Sequence, residues 1–247
     1  MKYVDVSQWQ GVIDWETAKP HIDGAILRAG YGTGHIDAQF RRNAAECYRL
    51  QIPCGAYWFS YATTPAKARS EAEYLLEAVK PYNMTLPLAF DFEYDSVQSA
   101  EMHGVSITKE LATSMVYAFC ETIEAGGHWC LIYANPDFLN RYFAPDVPKR
   151  FGLWLAEWPG GVPDVSKKPR PDVQIWQWGG SKIPGITPGK DVDTNESYVD
   201  FAKTYRPKKQ PATSLDWCKA HGLAPENVTA TTPVTWGDLA NALHKPE

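Results

Sequence analysis

Five short apolar runs, "KYVDVS", "GAILRAGYG", "CGAYWFSY", "LPLAFDFE" and "WCLIYAN", recur through residues 2–135 with helix-like stretches between them. Strand-length runs alternating with helical periodicity predict parallel strands joined by crossovers. The connectors fit that reading. "IDWETAKP" reads as a short helical turn closed by Pro20, and "AQFRRNAAECYRLQ" as an amphipathic helix. "TPAKARSEAEYLLEAVKP" carries Pro65 near its start, where a missing N–H costs least. "TKELATSMVYAFCETIEAGG" has Thr108 as its cap and Gly126 as its stop. Beyond residue 135 the rhythm changes. "GLWLAEW", "DVQIWQWGG" and "KDVDTN" read as three more strands, joined by Pro/Gly-rich loops rather than long helices. Eight strands, the first five with helical crossovers, predict an α/β fold: a TIM-like (β/α) barrel modified by erosion of its last helices. A doubly wound open sheet would alternate in the same way.

Residues 1–205 are assigned to this barrel, the polar, proline-bearing residues 206–212 to a linker, and residues 213–247 to a small helical tail module. The tail holds two short helical patterns, "LDWCKAHGL" and "TWGDLANALHK". At that length a core is marginal by itself, so the tail is expected to dock on something.

A net charge of −5 argues against a nucleic-acid partner, which needs a basic face for phosphates. No window reaches the roughly 18 uninterrupted apolar residues of a spanning helix, so no membrane partner is expected. Ten Trp and thirteen Tyr favour a carbohydrate groove, because flat rings stack on sugar faces. The start, "MKYVDVSQW", has no basic segment followed by an apolar one, so no signal peptide is visible. Cys47, Cys54, Cys120, Cys130 and Cys218 lack the spacing of a zinc site and read as reduced, buried thiols.

The chemistry is concentrated in acids at strand ends. "LPLAFDFEYD" finishes an apolar run with Asp91 and Glu93, and residues i and i+2 of a strand face the same side. In (β/α) barrels the C-terminal strand edge carries the chemistry. Asp5 closes the first strand in "YVDVSQW", and Asp191 and Asp193 in "KDVDTN" occupy the end of the last. The first and last strands of a closed barrel are neighbours, so Asp5 and Asp193 should meet at one rim, with Asp91 and Glu93 facing them. Converging like charges raise one another's pKa, which suits a site needing one protonated and one ionised acid. Glycoside hydrolysis has that requirement. A divalent-metal site is the competing use of clustered acids, but no EF-hand or HExxH pattern is present, and neither a metal nor a cofactor is expected. His21, His35, His103, His128, His221 and His244 are scattered and read as surface or loop residues. No GxSxG elbow and no P-loop occurs.

"VDVSQWQGVIDW", "GAYWFSY", "FDFE" and the late "DVD" resemble, in that order, the glycoside hydrolase family 25 muramidases, the Chalaropsis-type lysozymes. The resemblance covers roughly residues 1–205. It implies a barrel of eight strands with about five helices, and cleavage of the β-1,4 bond between N-acetylmuramic acid and N-acetylglucosamine in peptidoglycan glycan strands. By position, Glu93 matches the general acid and Asp91 the acid beside it. Asp91 would act either as nucleophile or as partner to the substrate's 2-acetamido group; a retaining mechanism with acetamido assistance is favoured. Asp5 and Asp193 match the remaining acids of the pocket. Many members carry a Lys and, three residues on, a Glu after the second strand; here Arg28 and Tyr31 stand there, and Tyr31 cannot serve as an acid near neutral pH.

Tyr57, Phe59 and Tyr61 share strand parity, and comparison with the family points to Phe59 as groove-lining. Arg28, Phe59, Tyr61, Tyr133 and Trp158 are the expected substrate contacts. The tail distantly resembles short helical repeats of bacterial and phage cell-wall proteins, and is expected to contact the wall or a second copy of the chain. Action on the cell wall, after secretion or phage release, follows from the resemblance. A chitinase-like N-acetylglucosaminide hydrolase and a non-catalytic peptidoglycan-binding protein are the alternatives.

Overall fold

The computed structural model describes residues 1–161, 163–187 and 189–204. The linker, the tail and Cys218 lie outside the described residues.

Nine strands form one sheet: β1 (Lys2–Val6), β2 (Gly24–Tyr31), β3 (His35–Ile36), β4 (Cys54–Phe59), β5 (Leu88–Asp91), β6 (Cys130–Ala134), β7 (Leu153–Ala156), β8 (Val173–Ser181) and β9 (Val192–Ser197). Their order is β1-β9-β8-β7-β6-β5-β4-β2-β3, and a further β1–β2 pairing closes the ring. Eight strands therefore make a closed barrel, and β3 is a two-residue flap hydrogen-bonded to β2. The eight barrel strands are those expected from sequence; β3 is too short to leave a periodic signal. Closure rules out the open sheet.

The pairs from β1 round to β8 through β2, β4, β5, β6 and β7 are parallel. β9 runs antiparallel to both β8 and β1. That direction corrects one expectation. Asp193 is the second residue of β9, at the start of the last strand rather than its end. A reversed strand brings its beginning to the rim where the parallel strands finish, so Asp193 still pairs in register with Asp5.

The helices are α1 (Trp15–Ala18), α2 (Phe40–Leu50), α3 (Pro65–Val79), α4 (Tyr94–Met102), α5 (Lys109–Ala125), α6 (Pro136–Tyr142), α7 (Val147–Phe151) and α8 (Phe201–Thr204). Among the described residues five of them reach seven residues. Thr64 and Thr108 cap α3 and α5 through Oγ1, accepting from the Lys67 and Leu111 N–H groups. Pro20 does not end α1; it lies inside a 3-10 turn over Lys19–His21 that continues it. His128, read as a surface or loop residue, lies in the loop between α5 and β6 but is 8% exposed, its N–H donating to the Ile123 carbonyl.

The inner face of the barrel follows one rule. On five parallel strands an apolar side chain at the base is followed two residues later by a polar one: Tyr3 and Asp5, Ile26 and Arg28, Ala89 and Asp91, Leu131 and Tyr133, Ile175 and Gln177. The apolar members pack together with Leu86, Trp154 and Phe201 as a plug. The outward residues, Phe90 and Phe92 among them, join the larger core under the helices. Gly30 has no room for a side chain: a Cβ there would lie 2.3 Å from the His35 carbonyl oxygen and 2.6 Å from the Trp58 ring. Cys47, Cys54, Cys120 and Cys130 are buried free thiols.

Candidate active site

Above the apolar plug, at the rim where the parallel strands end, lies a cavity of about 220 Å³. Asp5, Asp91, Glu93 and Asp193 all line it, as do Arg28, Phe59 and Tyr133. Two expected contacts fall outside the lining. Tyr61 is 39% exposed past the end of β4, its ring 5.2 Å from that of Phe59. Trp158 is 58% exposed beyond β7.

β5 ends at Asp91, so Glu93 belongs to the next element as the N-cap of α4. Its backbone is still extended (φ −129°, ψ −170°), and its N–H donates to Ser96 Oγ at 3.2 Å. An extended Glu93 keeps the alternation of the strand. Phe92 turns outward against Phe90 and Phe138, at ring separations of 5.9 and 6.0 Å, while the two acids turn inward.

The acids are held in different ways. Asp91 is 5% exposed, and its Oδ1 is buried without a hydrogen-bond partner. Burial raises its pKa well above the usual carboxylate value; the charge of Glu93 and a hydrogen bond between the two carboxyls add to this, and Arg28 opposes it. Burial raises Glu93 as well, against the lowering effect of that same bond. Two interacting carboxyls so placed lose their protons as a pair rather than independently. Asp5 is 7% exposed and is pushed up to about 7, first by burial, then by Asp193. Its Oδ2 accepts from Gln177 Nε2 at 3.1 Å and Asn195 Nδ2 at 2.8 Å, both of which favour the ionised form. Burial raises Asp193 too. Tyr57 and Tyr133 keep their protons, because burial beside these acids raises both hydroxyls.

Several residues went unnoticed in the sequence. Asp37, 2% exposed, takes Arg28 Nε at 2.8 Å and the Gln8 N–H at 3.0 Å, which fixes the guanidinium beside the cavity. Its place just before α2 reads as an ordinary helix start. Gln177 and Asn195 carry no charge to draw attention, although Gln177 could have been found from the inner-face alternation. Trp9 lines the cavity while 76% exposed. Among the described residues no group of three or more His, Cys, Asp or Glu side chains is arranged to hold a metal ion, and no helix is long and apolar enough to cross a membrane.

The family described as glycosyl hydrolases family 25 matches residues 4–186. Lysozyme M1 of Streptomyces globisporus is 26% identical over 200 residues, spanning 78% of this chain and 66% of that protein. The modular autolysin LytC of Streptococcus pneumoniae is 25% identical with a TM-score of 0.65, over 78% of this chain and 46% of that one; it has also been solved with a synthetic peptidoglycan ligand. The catalytic domain of endolysin ply40, from bacteriophage P40 of Listeria monocytogenes, shares the fold at 20% identity and a TM-score of 0.67, over 83% of this chain and 96% of that domain. The chain thus spans about two thirds of lysozyme M1 and under half of LytC.

Proposed function

The chain belongs to the glycosyl hydrolases of family 25, and from that premise we propose that it hydrolyses the β-1,4 bond between N-acetylmuramic acid and N-acetylglucosamine in peptidoglycan. The observation that carries the reading is the carboxyl pair Asp91–Glu93, both raised by burial, lining one cavity with Asp5 and Asp193. One acid must give a proton to the leaving oxygen while another stays ionised.

Glu93 is the general acid. It is the more exposed of the pair and stands at the cavity mouth on a helix N-cap. Asp91 is the deeper partner and lines the cavity. The 2-acetamido N–H of a bound sugar can donate to its carboxylate. That bond stabilises ionised Asp91 and leaves the proton on Glu93, where the leaving oxygen can take it. As the C1–O bond breaks, the acetamido oxygen attacks C1 and closes a five-membered ring, whose N–H charge Asp91 balances. Ionised Glu93 then takes a proton from a water that attacks C1 from the vacated side, reopening the ring with retention of configuration. Arg28, held by Asp37, offsets part of the negative charge. Asp5 and Asp193 orient sugar hydroxyls from the other wall. Action on the cell wall follows from this substrate.

Glu93→Gln is the test. It should lower turnover of purified peptidoglycan below detection while binding to walls persists, and wild-type fragments should end in reducing N-acetylmuramic acid by mass spectrometry. Full lysis by the variant, or reducing N-acetylglucosamine ends, would overturn the assignment.

A further inference from the structure

An indole N–H can donate a hydrogen bond but cannot accept one. Trp158 Nε1 lies 3.1 Å from one end of the Gln177 amide, and the Tyr133 hydroxyl lies 3.0 Å from the same atom. That atom must be Oε1, so Nε2 is left facing Asp5 Oδ2 at 3.1 Å. The logic repeats across the barrel. Trp154 Nε1 lies 2.7 Å from Asn195 Oδ1, which turns Nδ2 onto Asp5 Oδ2 at 2.8 Å. Two donor-only indoles therefore set the orientation of two amides, and both amides end on a single oxygen of one acid. With Oδ2 occupied twice, the proton that Asp5 carries at low pH resides on Oδ1.

The two arms differ in where they begin. Trp154 is 2% exposed, and the rings of Tyr57 and Tyr133 meet it edge-on at 5.9 and 4.8 Å. It is part of the barrel floor and cannot move independently. Trp158 is 58% exposed and sits past the end of β7, beyond the cavity lining. The same residue, Gln177, is 4% exposed and belongs to the inner layer of polar residues.

We propose that Trp158 is a positioning residue for Asp5, acting through Gln177, so that the state of an exposed ring at the rim is transmitted to a buried carboxylate. A sugar stacked on the indole would immobilise it, hold Gln177 Oε1 in place and strengthen the donor that Gln177 aims at Asp5. The groups that share the cavity with Asp5 are Asp193 of β9, Asp91 of β5, Glu93 on α4, Arg28 of β2 and the hydroxyls of Tyr57 and Tyr133. None of them changes charge when Trp158 is replaced, so a shift in Asp5 reports this arm. The kinetic consequence rests on the hydrolase reading above; the hydrogen-bond relay does not.

The test is a carboxyl 13C NMR titration of the full chain, with the Asp5 resonance assigned by its loss in Asp5→Asn. Trp158→Phe keeps a flat ring and deletes the donor. It should raise the Asp5 midpoint by about half a pH unit, and Gln177→Leu by about one unit, because each weakens donation to the ionised form. The double variant should titrate like Gln177→Leu alone, since both changes lie on one path. Should Gln177→Leu not fold, Gln177→Met takes its place. An unmoved midpoint in Trp158→Phe overturns the proposal, and so does a double variant shifted beyond the Gln177 single. A higher KM with Asp5 titrating as in wild type would make Trp158 a sugar platform only, which also overturns it. Wild-type protein that cleaves no peptidoglycan would refute the proposed function and leave these midpoints to be read as before.

Discussion

Glu71 offers a measurement in which pH, burial and the rim of the barrel are linked. It lies within α3, 4% exposed, with Oε2 accepting from Ser60 Oγ and Oε1 accepting from the Tyr61 N–H at 3.0 Å. The Ser60 N–H in turn donates to the Asp91 carbonyl at 2.7 Å, so this carboxyl holds the end of β4 against the end of β5, where Asp91 lies. Burial pushes its pKa from 4.5 up to about 7, outweighing Ser60, Tyr61 and Lys67, which lower it. Between those values the folded chain keeps a proton that the unfolded chain releases. Folding then takes up a proton, so the contribution of this site to stability falls as pH rises through that interval and levels off above it. At about 1.4 kcal/mol per pH unit, the whole interval is worth about 3 kcal/mol.

Glu71→Gln removes the titration and keeps the shape. Its amide oxygen can accept from the Tyr61 N–H, and its NH2 can donate to Ser60 Oγ. Urea denaturation at pH 4.5, 6 and 8 should show the variant within about 0.5 kcal/mol of wild type at the lowest pH and more stable by up to about 3 kcal/mol at the highest, with equal m-values. A stability difference that is the same at all three pH values would refute the reasoning, because it would mean that Glu71 does not hold its proton in the folded state.

Two further outcomes are expected. Asp91→Asn should lower kcat on soluble peptidoglycan by at least about a hundredfold, since it removes the charge that balances the acetamido group; near-normal release of reducing ends would dismiss that role. We also propose that residues 213–247 target the wall. Deleting 207–247 should then reduce co-sedimentation with purified walls while hydrolysis of soluble fragments persists, and unchanged sedimentation would remove the targeting role.

Much of the molecule can be read locally. The eight barrel strands, the cap at Thr108 and the gathering of Asp5, Asp91, Glu93 and Asp193 all follow from periodicity, capping and strand-end chemistry, which act over a few residues. Parity also survives where the element assignment does not: Glu93 leaves the strand for a helix cap, yet its extended backbone keeps it beside Asp91. The reversal of β9 was not legible, since a six-residue strand reads alike in both directions and the ring closes around it in either case.

The sequence alone decided which barrel strands exist, which of their faces turn inward and that acids stand at their ends, because each of those is set by neighbours along the chain. The tertiary structure alone decided what surrounds each acid. Asp37 meets Arg28 across nine residues of sequence, Gln177 meets Asp5 across 172 and Asn195 meets it across 190. Protonation depends on burial and on donors brought together by closure of the barrel, so the difference between one carboxyl and the next arises only when the ring is shut.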